Sequence, residues 1–208
     1  NLVYQASLAA LFSLAQALSK KGGFQRWLDD ALVAMAEGLG GDAGAVFLMD
    51  EEKDQLELAA VFGLEPGAVE FLQEKGSVLR EGSVGIILRR REPLRSSDRE
   101  TEGELQEELL AVGRGGIIGL PFGSDERLNG LALVYGEEDS MLPGGKELYS
   151  ALGDLFQVGV ARARLLDSVT GVMEKEAAID LELRAAERIK EQFVELVDEK
   201  LREPVQRL

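Results

Sequence analysis

The longest helical pattern in the sequence begins near Gly144 and continues to Pro204. Its apolar residues recur at spacings of three, four and seven, which are the spacings of a heptad repeat. A helix of roughly 50 residues extends about 75 Å, at about 1.5 Å per residue. One small domain cannot bury a helix of that length, so a partner helix must cover its apolar face. The sequence therefore predicts a long C-terminal coiled-coil helix, and a parallel homodimer is the simplest source of the partner.

The apolar residues of this repeat define the predicted dimer interface. Arg162 and Glu176 interrupt the repeat where it requires apolar side chains. After Ala186 the spacing slips, and a three-residue step of this kind overwinds a coiled coil. We interpret the slip as a candidate element with two packing registers. The alternative is a pair of shorter helices that fold back on each other at Gly171. The predicted interface residues are Leu155, Val158, Leu165, Val169, Val172, Ile179, Ala186, Ile189, Phe193 and Leu196.

The chain opens with two helical patterns. Residues 2–20 carry an apolar stripe that stops at Gly22 and Gly23, as expected where glycine follows a helix. A second pattern runs from about Phe24 to Leu39 and ends at a further group of glycines. The sequence therefore predicts two helices before the first strand.

The pattern then changes to that of β-strands. Ala45–Met49 is a short apolar run, and an acidic turn follows it. The apolar residues that alternate with other residues after the turn are Leu56, Leu58, Ala60 and Phe62. Together the two runs predict a hairpin whose first strand is buried on both faces.

The middle of the chain mixes short helices with two further strands. Helical periodicity returns at residues 68–74 and 83–91, and the acidic segment 98–108 is predicted to be a loop or a surface helix. Ile117–Phe122 and Leu128–Tyr135 are joined by a short loop of turn residues, which predicts a second hairpin. Helices between and around the strands of a mostly antiparallel sheet indicate an α+β or α/β sandwich.

The chain contains no histidine and no cysteine among its 208 residues. Disulfides, zinc fingers, haem held by histidine, iron–sulfur clusters, thiol nucleophiles and Ser-His-Asp triads are therefore excluded within this chain. Carboxylates can hold a hard cation, but no acidic cluster has the spacing of a calcium loop. We therefore expect no metal site and no cofactor.

The formal net charge of −15 disfavours nucleic acid as a partner, because an acidic surface repels the phosphate backbone. No apolar run approaches the roughly 18 residues that span a bilayer. The chain begins with Asn1, and no basic segment precedes the first apolar stretch. We expect a cytoplasmic fragment of a longer protein, with no signal peptide and no membrane partner.

Several segments resemble parts of a GAF domain. That family tends to have a strand ending in Pro and an apolar residue, then a turn, a strand with Gly-x-Leu and a leucine-rich helix. Ile117–Phe122, Asn129–Leu133 and Leu152–Leu165 match these pieces in order. Upstream, Gly82–Ile86 followed by Pro93 resembles the short helix after the family's first hairpin. The order and spacing of the pieces make the resemblance fairly specific.

The resemblance covers about residues 5–165 and implies an α+β fold with a GAF-like central antiparallel sheet flanked by helices. The terminal helices would pack on one face of the sheet. A small-molecule pocket would lie on the other face, under the mid-chain helices. The corresponding domain assignment is a GAF-like sensor domain at residues 1–165 and a signalling and dimerisation helix at residues 166–208.

The resemblance also narrows what such a pocket would hold. In this family covalent bilins and the methionine-sulfoxide reductases use Cys, and haem binding uses His; this chain has neither residue. The family's cyclic-nucleotide signature, Asn-Lys followed by Phe and then Asp-Glu, does not occur in order. Three possibilities are then left for the module: it binds a non-covalent small organic ligand, it responds to a protein signal, or it has no ligand. The predicted pocket walls are Phe47, Met49, Phe62, Phe71, Val84 and Tyr135, the last with a polar tip.

The segment Phe193–Val205 resembles the phosphoacceptor box of histidine kinases. The positions that match the box are Phe193, Asp198, Leu201, Arg202 and Pro204. Glu199 stands where that box has its phosphorylated His. A carboxylate there would give an unstable acyl phosphate instead of a phosphohistidine, so ordinary phosphotransfer should fail. A coincidental amphipathic helix end is the alternative.

These observations lead to one functional hypothesis and two alternatives. We interpret the chain as the sensory input and signal-transmission module of a two-component-type, histidine-kinase-like sensor. It would be a homodimer with a downstream kinase or effector domain and no catalytic site of its own. The first alternative is a structural GAF dimerisation module whose pocket is filled by its own side chains. The second is the input domain of a transcription regulator.

Overall fold

The structure is a computed structural model of the chain. It describes residues 23–50, 52, 55–78, 80–97, 102–124 and 127–205, without the side chains of 102, 104, 174, 176–178, 182, 185, 186 and 189–205. The chain divides into two compact units, Asn1–Arg164 and Leu165–Leu208. The predicted helix at residues 2–20 lies outside the described residues. The assignment of a sensor domain to 1–165 and a signalling helix to 166–208 stays a prediction, because compactness alone does not identify a role.

Five strands form one antiparallel sheet in the order β2-β1-β5-β4-β3. The strands are β1 (Ala43–Asp50), β2 (Gln55–Phe62), β3 (Leu94–Arg95), β4 (Gly116–Gly123) and β5 (Leu128–Gly136). The β1–β2 and β4–β5 hairpins are the two that the sequence predicts. β1 lies between β2 and β5, and its first six residues are buried. The predicted α+β class is therefore confirmed.

The first core covers one face of the sheet. The side chains of Trp27, Leu28 and Leu32 on helix α1 (Phe24–Gly38) pack in this core. Gly40 follows the end of the helix with φ of 76°, a conformation that favours glycine. From the C-terminal helix, the ring of Phe156 lies 5.6 Å from that of Trp27, centroid to centroid, and is tilted against it. Burial of each such side chain stabilises the fold by about 1.5–3 kcal/mol.

The second core covers the opposite face, under the mid-chain elements. These are α2 (Pro66–Phe71), a π-helix (Leu72–Val78), α3 (Gly82–Arg90) and α4 (Glu102–Val112). The predicted helices at 68–74 and 83–91 are confirmed at α2 and α3, although α2 gives way to the π-helix at Leu72. Alternate residues of the strands supply the sheet side of this core: Ala43, Ala45, Phe47, Leu131, Leu133 and Tyr135.

A β-bulge divides the side chains of β2 between the two cores. The register between β1 and β2 shifts between Val46 and Phe47, which leaves Ala59 without a partner across the ladder. A bulge sends the residues beyond it to the opposite face of the sheet. Leu58, before the bulge, packs against the second core, whereas Phe62, after it, packs against the first. The prediction that Phe62 shares one wall with the other pocket residues is therefore wrong.

The acidic segment before β4 forms a helix that takes part in the core. α4 begins at Glu102, which favours the helix over the loop for residues 102–108; residues 98–101 lie outside the described part. Leu105, Glu108 and Val112 are buried on its inner side. The segment is therefore not only a surface helix, because one of its carboxyl groups is buried.

The C-terminal helix α5 spans Lys146–Val205, close to the predicted range of 144–204. Within the first unit its inner face consists of Leu152, Phe156, Val160 and Ala163, all buried in the first core. In the second unit, large apolar side chains of the helix are exposed to solvent. No helix among the described residues is long and apolar enough to cross a membrane.

Candidate functional site

Three polar side chains meet inside the second core. The Glu108 carboxyl group on α4 accepts a hydrogen bond from the Ser83 backbone N–H at 2.7 Å through Oε2. Its Oε1 accepts from the Ser83 hydroxyl at 2.7 Å and from the Tyr135 hydroxyl at 2.6 Å. Glu108 is 3% exposed, and Ser83 and Tyr135 are fully buried. We call these three residues the Glu108 cluster.

The cluster forms because α3 begins close to α4. Ser83 is the second residue of α3, where the backbone N–H groups have no partner within the helix. Gly82 precedes it with φ of 59°, and a Cβ atom at Gly82 would overlap Glu108 Oε2. The carboxyl group of α4 thus caps α3 at the positive end of its dipole. Tyr135 reaches the same carboxyl group from β5, so the cluster joins two helices to the sheet.

Burial changes the acidity of both titratable members. Desolvation raises the pKa of Glu108 above the ordinary value of 4.5, and the three hydrogen bonds from Ser83 and Tyr135 oppose this shift. Desolvation also raises the pKa of Tyr135 well above 10.0, and the adjacent Glu108 carboxylate raises it further. A buried charge without a counter-charge is unfavourable, which is why desolvation dominates. The cluster therefore favours the protonated form of both groups.

The chemistry available to the cluster is proton binding and hydrogen bonding. Among the described residues no group of three or more Asp or Glu side chains is placed to hold a metal ion. A single carboxyl group with two hydroxyls also lacks the ligand number that Ca²⁺ or Zn²⁺ takes in proteins. No described residue is therefore assigned to a metal or cofactor.

Comparisons with known proteins bear on the fold. No protein-family model and no curated protein matches the sequence. Solved structures do match. The GAF domain of a phosphoenolpyruvate-protein phosphotransferase from Coxiella burnetii superposes with a TM-score of 0.57 at 20% identity, over 80% of this chain and 98% of that one. The fold is that of a GAF domain.

Two further structures with this fold come from proteins of different kinds. Free methionine-R-sulfoxide reductase from Neisseria meningitidis has a TM-score of 0.56 at 13% identity, over 80% of this chain and 94% of that one. The second is a GAF domain from a Pseudomonas syringae pv. tomato protein assigned as a sensor histidine kinase. It has a TM-score of 0.50 at 16% identity, over 81% of this chain and 94% of that one. At these identities the likeness establishes the GAF fold alone.

Within the GAF fold, five of the six predicted pocket residues lie on the side of the second core. Phe47, Val84 and Tyr135 are buried there, and Met49 and Phe71 are half-buried against it. Phe62 is the exception, for the reason given above. The structure brings Tyr135 into the Glu108 cluster, and Val84 follows Ser83 directly. Ligand binding by these residues stays a prediction.

The space between two of the predicted pocket walls, Phe47 and Val84, is closed at Gly76. A Cβ atom at Gly76 of the π-helix would lie 3.0 Å from Phe47 Cζ and 3.1 Å from Val84 Cγ2. Contacts this close leave no room for a ligand between the π-helix and the sheet at this point. In the described conformation the second core of the GAF fold is therefore closed there.

Open grooves lie around this closed core. One, of about 960 Å³, is lined by Ser96, Leu109 and Arg114 among others. A second, of about 640 Å³, runs between β2 and the π-helix. A third, of about 460 Å³, includes Met49 with Gln25 and Arg164. Of the predicted pocket residues, Met49 alone borders one of these three grooves.

The predicted dimer residues differ in their surroundings. Leu155 is half-buried against the first core of its own chain. The interface residues that are exposed are Val158, Leu165, Val169, Val172 and Ile179, between 48% and 65%. The side chains of Ala186, Ile189, Phe193 and Leu196, and that of Glu199 at the phosphoacceptor position, lie outside the described residues. Their roles stay predictions.

Sequence reasoning missed Glu108 and Ser83. Glu108 lies in an acidic stretch, where an exposed position is the ordinary expectation. One signal does single it out, because Leu105, Glu108 and Val112 follow the three-and-four spacing of a buried helical face. Ser83 offers a weaker signal, as a hydroxyl residue at the start of a predicted helix.

Proposed function

We propose that this chain is the sensory input and signal-transmission module of a two-component-type, histidine-kinase-like sensor. In this proposal the GAF fold receives a small-molecule or protein signal, and α5 passes it to a downstream kinase or effector domain. The module has no catalytic site of its own and works as a cytoplasmic homodimer. The resemblance of Phe193–Val205 to a phosphoacceptor box supports a place next to a kinase-like region.

The observation that carries the proposal is the exposed apolar face of α5. Val158, Leu165, Val169, Val172, Ile179 and Leu183 follow the heptad spacing, and each is at least 48% exposed. We call them the α5 seam. Apolar side chains at this spacing are typical of a coiled-coil surface, and a single helix that exposes them gains little stability in water.

A second copy of the chain is the partner that this seam fits. In a parallel dimer each seam residue meets its own counterpart, so one heptad pattern serves both helices. The buried stripe formed by Leu152, Phe156 and Val160 faces the domain's own core and is distinct from the seam. Dimerisation therefore requires no unpacking of the domain.

Light scattering on the full chain at several concentrations tests the proposal. We expect the wild-type chain to be a dimer and Val172→Glu/Ile179→Glu to be a monomer, because the substitutions place buried charges opposite each other. Leu181→Glu is the matched control, since Leu181 is 69% exposed and lies on the other side of the helix from Ile179. It should remain a dimer.

A second variant separates the seam from the rest of the molecule. Truncation after Leu165 removes most of the seam and should weaken or abolish the dimer. A wild-type chain that is monomeric at every concentration would contradict the proposal. So would a dimer that survives both the truncation and the seam substitutions.

A structural module with a filled pocket is the second candidate. The close packing of Gly76 on Phe47 and Val84 favours it. The two candidates differ in the response of the seam to a stimulus. Cross-linking of cysteines introduced at Val172 should change with a ligand or partner in a sensor, and should stay constant in a purely structural module.

A further inference from the structure

Glu108 is a buried carboxyl group whose hydrogen-bond donors are all neutral. Its partners are the Ser83 backbone N–H, the Ser83 hydroxyl and the Tyr135 hydroxyl. No lysine or arginine is among them. An ionised Glu108 therefore places one negative charge in an apolar core, with three dipoles but no counter-ion to stabilise it.

Among the side chains that the structure describes, the neighbouring elements bring no other buried charge. On the sheet side Tyr135 is the titratable residue of β5, and β4 contains none. Lys75 of the π-helix pairs instead with Glu81 at 3.1 Å and with Glu107 at 3.9 Å. The other described charged side chains on the elements around Glu108 are exposed: Glu70, Glu74, Glu81, Arg89, Arg90 and Glu107.

The neutral form of Glu108 suits the same geometry. A protonated carboxyl group donates its proton to one of the two hydroxyl oxygens, and still accepts from the Ser83 N–H and the other hydroxyl. Each nitrogen and oxygen atom of the cluster then keeps one partner, the hydroxyl that accepts the carboxyl proton no longer donates to Glu108, and the core holds no net charge. Ionisation releases one proton to solvent and leaves that charge behind.

We infer that Glu108 is a protonation-linked latch, which closes α3 onto α4 and β5 when it is neutral and loosens that closure when it is ionised. Glu108 acts here as a positioning residue for the start of α3. The signal that this latch registers is the proton concentration. The inference concerns the first unit alone and does not depend on the proposed dimer.

The segment before α3 is the part that the latch holds. Arg80 has φ of 55° and Gly82 has φ of 59°, and a non-glycine residue such as Arg80 is strained in this region. A π-helix, a rare form that is frequently found at functional sites, ends two residues before Arg80. Surrounding contacts must maintain such a backbone, and the two hydrogen bonds that Glu108 accepts from Ser83 are buried contacts at this position.

Hydrogen exchange of α3 and α4 across pH tests the latch. After correction for the intrinsic exchange rate, wild-type exchange should be constant below the ordinary glutamate pKa. It should then rise by up to tenfold per pH unit until the folded pKa of Glu108 is passed, and level off. Exchange increases with pH because the pKa of Glu108 is raised in the closed state. The closed state therefore binds the proton more tightly than the opened state does.

Glu108→Gln is the decisive variant. Its amide carbonyl accepts from the Ser83 N–H, and its amide group donates to the two hydroxyl oxygens, which become acceptors. The cluster thus keeps its contacts, with two of the bonds reversed, and has no titrating proton. We expect pH-independent corrected exchange in this variant. Glu107→Gln, the adjacent exposed carboxylate on the same helix, should retain the wild-type rise. An equal pH dependence in wild type and Glu108→Gln overturns the latch, as does its loss in Glu107→Gln.

A spectroscopic measurement covers the case in which Glu108→Gln does not fold. Infrared spectra of the wild-type chain should show a protonated carboxyl band that persists after the exposed carboxylates have ionised. Tyr135→Phe removes a donor that stabilises the ionised form, so this band should persist to higher pH. If the band disappears together with those of the exposed carboxylates, the inference is wrong.

Discussion

Gly82 sets how closely α3 approaches α4. Its positive φ and the absence of a Cβ atom allow the Glu108 carboxyl group to reach the Ser83 backbone N–H. A larger residue would have to adopt a left-handed conformation and would also displace the carboxyl group. One small residue therefore decides whether a buried acid can cap this helix.

We expect Gly82→Ala to lower the free energy of unfolding by about 1–3 kcal/mol, through backbone strain and overlap with Glu108. Urea denaturation measures this change. Gly67→Ala is the matched control, because a Cβ atom at Gly67 on α2 meets nothing within 4 Å. The control should be neutral or stabilise the protein by up to about 1 kcal/mol. Equal effects of the two substitutions would show that Gly82 carries no special constraint.

At the scale of elements, α5 carries two apolar faces, one buried and one exposed. The face with Leu152, Phe156 and Val160 packs in the first core, whereas the α5 seam is exposed. Phe156 is the centre of the packed face, since its ring also lies 5.1 Å from that of Phe122, centroid to centroid. The helix is therefore anchored to the sheet by its inner face, whereas the α5 seam is exposed to solvent.

Phe156→Ala should lower the free energy of unfolding by about 3–5 kcal/mol, because it leaves a cavity between Trp27 and Phe122. The midpoint of urea unfolding reports the loss. Leu110→Ala on α4 is a suitable control, since Leu110 is 77% exposed and its removal creates no cavity. Its effect should stay below about 1 kcal/mol. A small effect of Phe156→Ala would mean that α5 is not anchored by this face.

At the scale of the whole molecule, charge opposes association. Each chain carries a formal net charge of −15, so two copies repel each other over distances that salt screens. The free energy gained by burying the α5 seam must exceed this repulsion for a dimer to form. Ionic strength therefore acts directly on the proposed dimer.

We expect the dissociation constant of the dimer to fall when sodium chloride is raised from about 0.05 M to about 0.5 M, because the Debye length shortens to a few ångströms. Sedimentation velocity at several protein concentrations measures the constant. Potassium chloride serves as the control and should act equally, since screening does not depend on the cation. A constant that rises with salt would indicate that attractive ion pairs dominate the interface.

Much of the fold follows from local patterns. Alternation and apolar runs predicted both hairpins, and the helical pattern from about Phe24 to Leu39 predicted α1. The resemblance to GAF domains predicted helices on both faces of an antiparallel sheet, and the structure has this arrangement. These features were predictable because periodicity and turn residues act over a few neighbouring positions.

The candidate site was predictable only in part. Phe47, Val84 and Tyr135 lie together in the second core, and ligand binding by them stays a prediction. Phe62 was misplaced, because the bulge at Ala59 depends on pairing with β1 and has no local mark in the sequence. Glu108 was missed, because its burial depends on where α4 meets α3 and β5.

The sequence by itself determined the strands of both hairpins, α1, the long C-terminal helix with its heptad spacing, and the lack of histidine and cysteine side chains. These are properties of composition and of spacing along one element, and they do not require knowledge of a neighbour. The tertiary structure decided the face on which Phe62 lies, the closure of the second core by Gly76, and the burial of Glu108. Each of these depends on contacts between residues far apart in the chain, whose free energy is fixed only when the elements pack together.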